Sequence, residues 1–139
     1  MEFSDWLLFL HVLSAFVVVG SLTALWALVI ATRPSAPILA PEEAKRFGNA
    51  FGPAVGAGLM GTLVFGIWLA LDSDSYGIFD GWIIAALVVW AFGGWAGGEA
   101  GKRFSREPVP DRTAGVRFQT LSSLAVVVIL ILMIWKPGA

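Results

Sequence analysis

The chain has no cysteine, one histidine and one tyrosine among its 139 residues. Without cysteine there are no disulfides, thiolate metal sites, iron–sulfur ligands or Cys nucleophiles. Charge is also scarce. Asp, Glu, Lys and Arg supply 14% of the residues and the formal net charge is −1, against roughly 25% charged residues in an average soluble domain. A near-neutral chain of this kind lacks the basic excess of a nucleic-acid binder, so no nucleic-acid partner is expected. Catalytic constellations are missing as well. There is no legible Ser–His–acid set, no pair of carboxylates inside an apolar stretch and no phosphate-cradling Gly-Lys motif, and the chain reads as non-enzymatic.

What the chain has in abundance is uncharged apolar sequence. Hydrophobic residues make up 58% of it, and mean hydropathy is +0.81. Residues 6–32, 47–71, 81–98 and 118–135 contain no Asp, Glu, Lys or Arg, giving stretches of 27, 25, 18 and 18 residues. A helix crosses the hydrocarbon core with about 17–25 apolar residues. In lipid only helices and closed barrels satisfy every backbone group. Continuous runs such as Val126–Ile134 lack the alternation of a barrel strand. The expectation is therefore an all-α fold, a single integral membrane four-helix bundle with spans at about 6–32, 47–71, 81–98 and 118–135. Met1–Asp5 carries Glu2 and Asp5 where a signal peptide would be positive, so the first span is expected to be retained.

Eight of the nine Lys and Arg residues fall in two segments: Arg33, Lys45 and Arg46 in the first, and Lys102, Arg103, Arg106, Arg112 and Arg117 in the second. The positive-inside rule puts these in the cytoplasm and both termini outside (N-out/C-out), in a cytoplasmic membrane. Trp6, Trp68, Trp82 and Trp135 each lie at the outer end of a different span, as interfacial anchors do; Trp90 is central. Proline punctuates the loops. Pro41-Glu42-Glu43 reads as a helix start, with proline in the first turn and acids at the positive dipole end. Asp111 is an N-cap candidate for the fourth helix. Pro53 lies inside the second span, where a kink is expected. The segment Asp72–Gly77 resembles the opening of a calcium loop but lacks its closing Glu, so it reads as a solvated turn.

Helices in lipid approach closely through small residues. Gly48, Gly52 and Gly56 recur every four residues in the second span, and Gly93/Gly97 and Gly94/Gly98 do so in the third. These two spans are expected to make the tightest contact, within one chain or as a homo-oligomer seam, with the aliphatic fourth span facing lipid.

Ionisable residues inside a span mark function by default, and His11 is the clear case. Helical spacing puts it on the face of Ser14 and Ala15. It reads either as a neutral imidazole bonded to a carbonyl or serine, or as an axial haem ligand. At ~1.5 Å per residue, Met133 matches its depth, whereas Met60 lies near the midplane; Tyr76 is the other residue of ligand type. Glu99 is explained by helical ion pairing with Lys102 and Arg103.

The segment Leu7-Leu8-Phe9-Leu10-His11-Val12-Leu13-Ser14-Ala15-Phe16, followed by Gly20, resembles the opening helix of a group of small bacterial membrane proteins. The group includes a four-helix integral-membrane family of unknown function, copper-resistance D-like proteins and small four-helix protoporphyrinogen oxidases. The stretches Gly61–Trp68 and Asp80–Ile83 are similar to the second and third helices of the uncharacterised family. Of the functional residues only His11 carries over. The oxidase relatives imply haem and further polar residues in later helices. This chain has no second His and no Lys within a span.

Three functions follow as expectations. The leading one is a membrane accessory or scaffold protein acting with the lipid bilayer, other membrane subunits or further copies of itself. The second is a haem-b protein in redox or tetrapyrrole handling, with His11 and Met133 as cofactor-binding residues. The third is an oligomeric transporter or channel.

Overall fold

In the computed structural model, which describes residues 2–73, 77–104 and 112–137, four helices follow in sequence: α1 (Phe3–Ala31), α2 (Pro41–Asp72), α3 (Gly81–Phe104) and α4 (Arg112–Trp135). No strand occurs among the described residues. Asp74–Tyr76, Arg106 and Asp111, to which the turn, ligand, basic-loop and cap readings above refer, lie outside them. All four helices are long and apolar enough to cross a membrane, the build of a multi-pass membrane protein. The shortest, of 24 residues, spans ~36 Å at ~1.5 Å per residue, enough for the ~30 Å hydrocarbon core.

The helices outrun the uncharged stretches where local chemistry supports another turn. At the start of α1, the Asp5 carboxylate accepts from the Glu2 backbone N–H at 2.9 Å, and the Asp5 N–H donates to the Glu2 carbonyl at 3.1 Å, a local cap. Such a cap satisfies donors otherwise orphaned at a helix start. Helix α2 begins at Pro41 with Glu42 and Glu43 in its first turn, and continues through Pro53. At its far end α3 carries Glu99, whose carboxylate meets Lys102 at 2.9 Å and Arg103 at 3.5 Å.

Burial differs from that of a water-soluble bundle in what the surface carries. Ser21, Gln119 and Ser122 are buried beside Leu7, Val18, Leu22 and Ile83, while Phe16, Val88, Leu124 and Ile134 are exposed. In lipid the apolar side chains lose nothing by facing outward, and small or polar residues fill the contacts between helices.

The chain packs as two hairpins. α1 lies against α2 and α3 against α4, while α2 meets α3, and α1 meets α4, only sparsely. The expected intimate pairing of α2 with α3 is therefore corrected, as is the lipid-facing fourth helix. The reason is which glycine face has a partner. Around a helix of about 3.6 residues per turn, Gly56 and Gly58 point to nearly opposite sides. Gly58 and Gly61 receive α1: a Cβ built on Gly58 would lie 2.7 Å from Val18 Cγ2 and 3.0 Å from the Ser14 carbonyl oxygen, and one on Gly61 would collide with Ser14 Oγ. Gly48, Gly52 and Gly56 have no such neighbour within 4 Å. On α3, Gly93 and Gly97 face α4, with Ala125 Cβ at 2.8 Å and Ser122 Oγ at 3.0 Å from the added carbon, whereas Gly94 and Gly98 meet open space. The α4 seam is Gly115, Gln119, Ser122, Ala125 and Ile129, all buried, and Ser122 Oγ donates to the Gly93 carbonyl at 3.0 Å.

Gly58→Ala should destabilise the protein by about 1–3 kcal/mol, the usual cost of overpacking, because the atoms it meets include α1 backbone. Gly52→Ala should leave stability unchanged or slightly raised. Thermal unfolding of the two variants in one detergent compares them directly.

Candidate functional site

The hairpins are tied together at one end and apart at the other. At the end bearing the α1–α2 connection, the Trp26 indole N–H donates to Ser123 Oγ at 2.8 Å. The Arg112 guanidinium donates to the Val29 carbonyl and to Thr32 Oγ1. Farther along, the Trp90 indole N–H donates to the Leu59 carbonyl at 3.0 Å and links α3 to α2. An indole N–H in lipid needs an acceptor, because no water is present to supply one. Trp90, the central tryptophan, is thus a cross-hairpin strut.

Beyond these struts a cavity of about 830 Å³ opens between the hairpins, lined by all four helices. It falls within the roughly 300–1,000 Å³ of small-molecule and cofactor sites. Its wall is almost wholly apolar, with Trp90 and Leu59 toward the tied end and Ser4, Asp72, Ser73 and Lys136 at the other, which forms its mouth. Leu8, Val12 and Phe16 of α1 line it and are at the same time exposed on the outer surface. The cavity therefore communicates sideways with the surroundings of the bundle along α1.

His11 stands in this wall. Its Nδ1 lies 3.0 Å from the Thr62 carbonyl oxygen of α2. A carbonyl only accepts, so Nδ1 carries the proton and donates, leaving Nε2 as the lone-pair nitrogen. The ring fits because position 66 is glycine: an added Cβ there would lie 2.9 Å from His11 Cε1 and 3.1 Å from Nδ1. The same Nδ1–H to carbonyl bond fixes tautomer and orientation in metal-ligating histidines.

Met133 of α4 lines the same cavity as His11, so both residues singled out as ligands share one space. Met60 is exposed on the outer surface. No group of three or more His, Asp or Glu suited to a metal ion occurs among the described residues. Sequence reasoning missed the parts that hold the imidazole, namely the Thr62 carbonyl and Gly66. The one available signal was that Thr62 and Gly66 are four residues apart, on one face of α2. Gly66 belongs to neither glycine series with regular spacing.

The Trp26–Ser123 tie is open to a double-mutant cycle. Trp26→Phe and Ser123→Ala should couple by about 0.6 kcal/mol and by no more than roughly 1.7, the range for hydrogen bonds between helices in membranes. Unfolding of the four proteins in mixed micelles measures it. Compared with known proteins, the chain matches no family model, no curated protein and no solved structure, and its function is read from this cavity and the imidazole in its wall.

Proposed function

We propose that this chain is an accessory protein of the cytoplasmic membrane that holds a b-type haem between its hairpins, with His11 as axial ligand. One observation carries the reading. The only histidine of the sequence has its Nδ1–H bonded to a backbone carbonyl across the hairpin, and it stands in the wall of an apolar cavity of cofactor size. A purely structural histidine would serve equally well at the closed end of the hairpin. Here the ring occupies a place cleared by Gly66 and borders open volume.

The donor set fits the group. A neutral imidazole nitrogen is the commonest protein ligand of haem iron, and a thioether is an established second one. In this reading Met133 is the second ligand. A bound haem would supply one-electron chemistry or be carried as a tetrapyrrole. The chain's own residues orient it, exclude water from it and keep it within the bilayer. The glycines of α2 and α3 without a neighbour in this chain, Gly48, Gly52, Gly56, Gly94 and Gly98, support work alongside another membrane subunit or a second copy.

The charge distribution supports N-out/C-out. Arg33, Lys45, Arg46, Lys102, Arg103, Arg112 and Arg117 gather at the tied end of the bundle, while Asp72, Asp80 and Lys136 lie at the mouth. The mouth then faces the outer leaflet. The absence of native cysteine makes this simple to check. Phe79→Cys should react with a membrane-impermeant maleimide on intact cells, and Ser35→Cys only after permeabilisation.

For the haem, protein purified from haem-replete cells should show a stoichiometric Soret band that shifts on reduction. His11→Ala should abolish it, and Gly66→Leu, which drives a side chain into the ring, should weaken it strongly. A colourless wild-type protein, or a band retained in full by His11→Ala, would overturn the assignment.

A further inference from the structure

The two residues that fit as axial ligands belong to different hairpins. His11 is on α1 and is held to α2, by its bond to the Thr62 carbonyl and by the place that Gly66 leaves for the ring. The imidazole is thus seated within the first hairpin. Met133 is on α4, in the second hairpin, and stands half-buried in the wall of the same cavity. Its unbranched thioether turns about three rotatable bonds, so the sulfur has a reach that the imidazole lacks.

The described ties between α1 and α4 stop short of both residues. Trp26 donates to Ser123 and Arg112 to the Val29 carbonyl, and Val126 packs against the cluster of Val18, Leu22 and Val55. Of these ties Val126 lies farthest toward the mouth. From Val18 to His11 and from Val126 to Met133 the count is seven residues in each case, ~10 Å along each helix. The two residues therefore stand on opposite jaws, equally far beyond the last of these ties. On this flank Leu8, Val12 and Phe16 line the cavity and are exposed outside it, so the jaws are parted there.

We propose that His11 and Met133 are the two halves of a clasp: by ligating one metal centre from opposite hairpins they draw α1 against α4 and close this flank when the cavity is loaded. The clasp rests on the haem reading, and it adds a change of shape to what that reading requires, which is ligation alone. A ligand shifts an equilibrium between two arrangements only by its differential affinity for them. Here the arrangement with the hairpins together offers iron a second axial bond, and the parted one does not. A metal-free ring of the same outline gains nothing from that difference. Loaded and empty molecules then present different α1–α4 surfaces to a neighbouring membrane protein.

The chain has no native cysteine, so paired nitroxide labels can report the spacing of the hairpins. Leu13 on α1 and Ile134 on α4 are exposed and do not line the cavity, which suits Leu13→Cys and Ile134→Cys as the pair across the flank. Leu13→Cys with Val64→Cys, at another exposed site on α2, is the control within one hairpin. Distances are read by pulsed electron double resonance on the full-length protein in nanodiscs, empty, with haem, and with metal-free protoporphyrin IX. Haem should move the Leu13–Ile134 distribution to shorter distance and narrow it, and leave the control pair unchanged. The metal-free ring should leave both pairs unchanged. Met133→Leu should keep the His11-dependent Soret band, lose the spectral signature of a sixth ligand and stay at the empty-state distance. Met133→His, which returns a second ligand to α4, should restore the short distance. An unchanged Leu13–Ile134 distance in protein whose Soret band depends on His11 overturns the clasp and leaves the haem assignment standing. Equal shortening with the metal-free ring, or in Met133→Leu, also overturns it, because filling the cavity then suffices. Failure of the wild type to take up haem overturns the haem assignment and the clasp with it.

Discussion

Everything in this molecule depends on backbones approaching where side chains have been removed. Lipid tails are as apolar as leucine, so no hydrophobic force draws the helices together, and van der Waals contact has to do it. That contact is strong only where glycine lets a neighbouring knob in. Gly58 and Gly61 receive Val18 and Ser14, and Gly93 and Gly97 receive Ala125 and Ser122. The result is two stiff hairpins rather than a uniform bundle. Between the hairpins the described contacts are hydrogen bonds from Trp26, Trp90 and Arg112 and the packing of Val126 against the cluster of Val18, Leu22 and Val55. Such contacts join surfaces at points without closing the space around them, and the cavity is the volume they leave unfilled.

The same constraint places the imidazole. Along the α1–α2 seam the glycines are spaced so that the ring of His11 meets Gly66 as Ser14 meets Gly61. The ring is therefore part of the interhelical contact on one edge and part of the cavity wall on the other. Its bond to the Thr62 carbonyl removes the cost of an unsatisfied N–H in an apolar setting.

Much of the architecture was legible in the charges. Four uncharged stretches of span length, the Pro41 start and the interfacial tryptophans all follow from the energetics of hydrocarbon and helix ends, which act locally along the sequence. The pairing of helices was not legible. Glycine spacing shows which faces can be approached closely, not which of them is approached, and two glycine series on α2 point to different sides. Only the α1 side chains opposite decide between them. Likewise His11 and Met133 could be matched by depth, since depth is a count of residues. The carbonyl that orients His11 could not, because every residue of α2 offers one.

The route of the chain between the hairpins limits how the cavity can be filled. The polypeptide passes from α2 to α3 at the mouth, so that flank is bridged covalently, whereas α1 and α4 are joined there by no peptide link. Among the described residues they are held toward the opposite end through Trp26 and Arg112 and farther along by Val126 against Val18 and Leu22. Leu8, Val12 and Phe16 border the unbridged flank and already face outward. A guest too broad for the mouth would thus be exchanged through the α1–α4 flank, directly with the acyl chains of the leaflet. Its supply would then depend on how much of it is dissolved in the membrane and not on its concentration in water.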